Sequence, residues 1–194
     1  MSTTNSHAHT ALLVMDVQVG VVERFANDAD LLKRIGASIS AARLAPLPVI
    51  SVGVSFRKGY PEISPQNTSF SAIKASSFSF QDGTSATHIH PAIAPQPADI
   101  LVTKRRVSAF SGSDLEIVLR AQDIRHLVLC GIATSGVVLS TLREAADKDY
   151  ELTVLSDCCT DSDEEVHRVL ISKVFPRQAH VVTALEWSAA LKQE

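Results

Sequence analysis

With 194 residues, the chain is long enough for one full-sized core. Hydrophobic residues make up 45% and charged residues 20%, which excludes a disordered chain and fits a soluble globular one. The formal net charge of −3 argues against nucleic acid or an anionic membrane as a partner, and no apolar run approaches the length of a membrane span.

Residues 1–9 are expected to be a disordered polar tail, and residues 10–194 a single domain. The opening MSTTNSHAHT lacks the basic and apolar regions of an export signal. Cys130, Cys158 and Cys159 form no CxxC pair. Reduced thiols and a cytoplasmic protein are expected from both features.

Thr10 to Met15 is a continuous apolar run, the pattern of a strand buried on both faces, and Asp16 follows it. Residues 28–45 repeat apolar positions at helical spacing, through Ile35 and Ile39, until Pro46 and Pro48. Val49 to Val54 is the second strand. Residues 56–97 are rich in Ser, Pro and Gly, with a short helix expected near Phe70 to Lys74. A connection this long implies a functional excursion, a lid or a subunit contact.

Asp99 to Thr103 is the third strand, with Lys104 at its end. Ser113 and Glu116 have the spacing of a capping box, opening a helix through Leu115 and Leu119. The fourth strand, Leu127 to Cys130, meets Gly131 and a turn of small residues, and a helix follows from about Gly136. Leu152 to Leu155 is the fifth strand. Ser162 with Glu165 predicts a second box and a helix reaching Val174. Ala179 to Val182 is the sixth strand, and Thr183 with Glu186 predicts a third box before the last helix.

Strands alternating with helices imply a three-layer α/β/α sandwich, Rossmann-like, around a six-stranded, mainly parallel sheet. Such sheets bind ligands beyond the carboxyl ends of their strands. Asp16, Lys104 and the turn from Gly131 to Val137 all follow strand ends, so they can meet at one edge. A carboxylate paired there with an ammonium can move a proton and steady charge. The plainer alternative is a helix-capping Asp16 and a surface Lys104. Cys130 reads as a small buried hydrophobe, Cys158 and Cys159 as structural, and Ser135 and Ser140 as caps or packing. Phe25, Phe56, Phe78, Phe80 and Phe110 are candidates for the wall of an apolar pocket.

Three segments, LLVMDVQ, VTKRRVSAF followed by Gly112 and Asp114, and LCGIATSGVVLSTLREAAD, together resemble the isochorismatase-like cysteine hydrolase family. The resemblance implies a hydrolase in which Asp16 and Lys104 are catalytic. It also implies a non-proline cis peptide, placed between Ala133 and Thr134, that turns the Thr134 N–H toward the same oxygen as the N–H of residue 137. Ala133, Thr134 and Gly136 would then border the substrate oxygen, with Phe25 and Phe110 along the wall. The family's catalytic cysteine falls on Val137, which has no nucleophilic atom.

The family's metal-binding members use an Asp-x-His segment after the second strand. This chain has SVGVSFRKGY there, and His88 and His90 read as loop residues, so no metal or cofactor is expected. The resemblance implies a small-molecule substrate and a homodimer or homotetramer. Two readings stay open: a hydrolase working through Asp16 and Lys104 without a cysteine, or an inactive small-molecule-binding or scaffold protein.

Overall fold

The computed structural model describes residues 7–25, 28, 30–76 and 79–192. Its six strands are β1 (Thr10–Met15), β2 (Val49–Val54), β3 (Ile100–Lys104), β4 (His126–Ile132), β5 (Glu151–Thr160) and β6 (His180–Val182). They form one sheet in the order β3-β2-β1-β4-β5-β6, with every neighbouring pair parallel. The helices are α1 (Val19–Phe25), α2 (Leu31–Leu44), α3 (Thr68–Ala75), α4 (Leu115–Ala121), α5 (Leu139–Asp147), α6 (Glu164–Val169) and α7 (Ala184–Ala190). Helices on both faces complete the three-layer α/β/α fold, as expected.

Central β1 is buried along its whole length, because helices cover both of its faces. Its apolar run therefore does not alternate. Edge strand β3 does alternate, leaving Leu101 63% exposed. Chain order reverses between β1 and β4, and that switch point places a crevice at their carboxyl ends.

Several local expectations change. The sequence pattern gave no helix between Asp16 and residue 28, yet α1 forms there. Its Val19, Val21 and Val22 are weak helix formers, so the helix depends on packing. Gly20 makes that packing possible: a Cβ there would lie 2.8 Å from Ala86 Cβ. Of the three expected capping boxes, only Thr183 with Glu186 forms. Asp114 and Asp163 take the N-cap positions expected for Ser113 and Ser162. Glu116 and Glu165 are drawn instead to Arg120 and Arg168.

β5 runs past the expected Leu155, and its register against β4 jumps from Val154 to Cys159, leaving Leu155 to Cys158 as a bulge opposite Cys130. Cys158 and Cys159 therefore lie inside a strand rather than beyond it. Residues 1–6 of the expected tail, and Phe78, fall outside the described residues. His9 accepts hydrogen bonds through its carbonyl from the N–H groups of Arg125 and His126, at 2.8 and 3.0 Å.

At the opposite edge of the sheet, His126 spans three strands. Its Nδ1 lies 3.3 Å from the Thr10 hydroxyl and its Nε2 lies 2.9 Å from the Thr153 hydroxyl. Burial lowers its pKa below 6.5, opposed by Glu151 and reinforced by His180 and His7. As pH falls, the unfolded chain takes up this proton first. Stability associated with His126 is therefore complete above about pH 6.5 and declines toward the lower folded value. A lower urea midpoint at pH 5.5 than at pH 7.5 is expected, with a smaller drop in His126→Gln.

Candidate active site

Asp16 leaves β1 with φ 54°, a left-handed conformation that Asp adopts more readily than most residues. Its N–H donates to the Val52 carbonyl at 2.8 Å. Gln18 then ties this exit to its surroundings. Its side-chain amide donates to the carbonyls of Val54 and Thr87, at 3.0 and 2.7 Å, and accepts from the Val54 N–H at 2.9 Å. A buried primary amide satisfied this fully fixes the loop on which Asp16 stands.

Lys104 ends β3, with β2 between it and β1. The two side chains must therefore bridge about 10 Å of sheet, two strand spacings. The long lysine stem makes this reach. Lys104 Nζ lies 2.8 Å from Asp16 Oδ2 and donates to the Arg106 carbonyl at 2.9 Å. Lys104 is 2% exposed and Asp16 8%. Burial raises the Asp16 pKa above 3.8, while the Lys104 charge and hydrogen bond pull it down. Asp16 Oδ1 is buried without a hydrogen-bond partner.

The turn after β4 forms the third side. Gly131, at φ 142°, passes close to β1. The helical stretch Thr134–Val138 then breaks at Gly136, where φ is −94° and ψ −105°. The cis peptide joins Ile132 to Ala133, one residue before the expected place. The N–H within the cis peptide is thus that of Ala133, not Thr134. The Thr134 side chain is fully buried, its hydroxyl 2.8 Å from His167 Nδ1. Burial lowers the His167 pKa, with Asp161 opposing. Asp161 also holds the turn, accepting the Ser135 N–H at 2.7 Å.

Asp16, Lys104, Ala133, Gly136 and Val137 meet around one cavity of about 640 Å³. Phe25 lines it, as do Val21 and Arg24 of α1 and Phe70 and Ile73 of α3. The 56–97 excursion thus supplies one wall. Thr134 and Phe110 are absent from the lining; Phe110 packs on Tyr150, with ring centroids 6.0 Å apart. Val21 and Arg24 were missed in the sequence because α1 itself was not read as a helix. None of the three cysteines lines the cavity. Cys158, 0% exposed, sits 3.6 Å from the Ser38 hydroxyl, and burial pushes its thiol up to about 11. No cluster of three or more His, Cys, Asp or Glu suited to a metal occurs among the described residues.

Residues 10–186 match the isochorismatase domain. The chain belongs to the isochorismatase family. It is 32% identical to the isochorismatase family protein YecD of Escherichia coli O157:H7, across 94% of this chain and 96% of that protein. It is also 32% identical to the ureidoacrylate amidohydrolase RutB of Stutzerimonas stutzeri, across 81% of this chain and 72% of RutB. An isochorismatase family protein from Burkholderia thailandensis superposes with a TM-score of 0.84 at 30% identity, covering 96% of this chain and 97% of that one. In this chain the Asp16 carboxylate and the Lys104 ammonium stand at the ends of β1 and β3, beside the turn after β4.

Proposed function

We propose that this chain is a metal-independent hydrolase of a small molecule, in which Asp16 transfers the proton and Lys104 steadies the charge. The observation that carries the reading is Asp16 Oδ1, a buried carboxylate oxygen left without a protein partner beside an apolar cavity. Its raised pKa brings the carboxyl nearer the range where it can both take and give a proton. In hydrolysis of a C–N bond, Asp16 takes a proton from the attacking water and returns it to the departing nitrogen. In cleavage of a vinyl ether, protonated Asp16 supplies the proton. The name of RutB favours the C–N bond for this chain.

Val137 stands at the family's cysteine position in this reading, so water attacks directly with no covalent intermediate. Backbone N–H groups of the Ala133–Val137 turn supply donors to the developing oxyanion. Cys158 takes no part, because a thiol with a pKa near 11 is scarcely ionised at neutral pH and does not line the cavity.

A panel of small amides, ureido compounds and vinyl ethers tests this. Turnover that survives iodoacetamide treatment is expected. Inactivation accompanied by alkylation of Cys158 would overturn the assignment. A second reading, binding without turnover, is favoured by Val137 itself, an apolar side chain in the cavity wall. It predicts a ligand recovered unchanged from every incubation.

A further inference from the structure

We infer that Arg24 is the specificity-determining residue of the cavity and that the ligand carries a carboxylate at the end away from Asp16. The inference rests on the proposed hydrolase site for its scissile end, but its anion-binding half can be tested alone. Among the described residues, three ionisable side chains line the cavity: Asp16, Lys104 and Arg24. The first two neutralise each other at 2.8 Å. The Arg24 charge is therefore uncompensated within the cavity.

Arg34, Arg43, Arg57, Arg105, Arg120, Arg125 and Arg168 have carboxylate partners. Arg57 meets Glu62 at 2.6 Å and Arg105 meets Asp82 at 2.9 Å. Arg24, Arg106, Arg143 and Arg177 have none within 4.0 Å among the described residues, and of these four only Arg24 lines the cavity. The Arg24 guanidinium stands 5.3 Å from the centroid of the Phe25 ring. That ring also lines the cavity. Asp16 and Lys104 are buried, whereas Arg24 is exposed, so the pair marks the floor and the guanidinium the rim.

The wall between is mainly apolar, with Val21, Phe70, Ile73, Phe80 and Val137. A cationic ligand would be repelled, and a carboxylate answers the guanidinium more strongly than a neutral carbonyl or hydroxyl does. A planar carboxylate matches its paired donors, and an apolar body matches the wall. The ligand class is thus a small monocarboxylate whose hydrolysable group lies on the far side of an apolar segment.

The test uses matched amide substrates differing only at the distal end, a carboxylate against its primary amide. Wild type is expected to favour the carboxylate in kcat/KM by about 2–5-fold, the range for an ion pair at an exposed guanidinium. In Arg24→Gln this ratio should collapse toward one, chiefly through KM for the carboxylate, and Arg24→Lys should restore part of it. An unchanged ratio in Arg24→Gln would overturn the inference. Binding of 3-phenylpropionate against 3-phenylpropionamide, followed by calorimetry, separates the two failures. Selective carboxylate binding that Arg24→Gln abolishes, with no turnover of any substrate, would sink the hydrolase reading and keep the subsite. Equal binding of the two probes in wild type would sink the subsite.

Discussion

Asp16→Asn is expected to lower turnover per folded molecule by about 10²–10⁴-fold, the usual worth of a positioned acid or base. Asparagine is the informative replacement. It keeps the shape of the side chain and tolerates the left-handed backbone found at Asp16, where φ is 54°. It can still accept a hydrogen bond from Lys104, but it cannot ferry a proton. The exchange leaves the Lys104 charge buried with the Arg106 carbonyl and an amide for company. Stability should therefore fall by up to about 3–5 kcal/mol, and circular dichroism must establish the folded fraction before rates are compared. The pH–rate limb belonging to Asp16 should lie above 3.8, because burial raises its pKa, and should vanish in the variant. Equal rates per folded molecule in the two proteins would remove Asp16 from the chemistry.

Gly131→Ala should cost more than about 4 kcal/mol or yield no soluble folded protein, the range reserved for severe steric damage. Gly131 pairs with Met15 across β1 and β4. A Cβ there would lie 2.0 Å from the Met15 carbonyl oxygen, and φ of 142° further disfavours an L side chain. Relief requires the two central strands to part just where Asp16 and the Ala133–Val137 turn must approach. The control is Gly36→Ala in α2, where the nearest atom to a new Cβ is Ile93 Cγ2 at 3.9 Å. That change should instead stabilise, by about 0.4–1 kcal/mol, through the lower entropy of the unfolded chain. Urea midpoints of the two variants should therefore move in opposite directions. A Gly131→Ala protein as stable as wild type would mean that β1 and β4 do not approach this closely.

Strands buried on both faces are readable because their runs are almost wholly apolar, with only an occasional small hydroxyl such as Thr10 or Ser51. TALLVM, VISVGV and the core of HLVLCGI announce β1, β2 and β4. The ends of β1 and β4 then locate Asp16 and the turn, and the end of β3 locates Lys104, so the residues at the strand ends were legible. The rim was not. α1 carries three valines and a glycine in seven residues, so local propensity conceals a helix that tertiary packing enforces. Of the aromatics singled out for an apolar wall, Phe25 and Phe80 line the cavity while Phe56 and Phe110 do not, since an aromatic's type does not reveal which face it turns to. Capping failed where an aspartate stood next to the predicted serine and a nearby arginine drew away the glutamate. Thr134 was expected to present its amide to substrate. Neither the one-residue shift of the cis bond nor its tie to His167 is encoded in the spacing of the turn.

Intact-mass analysis of the acid-quenched enzyme during steady-state turnover of an amide tests most directly whether chemistry proceeds here without a covalent step. Val137→Cys, which places a thiol on the cavity wall, serves as the positive control. The wild-type protein should retain its unmodified mass while product accumulates, and Val137→Cys should show an acyl adduct on the new residue. An adduct on wild type, mapped to Cys158 or to any other side chain, would contradict direct attack by water.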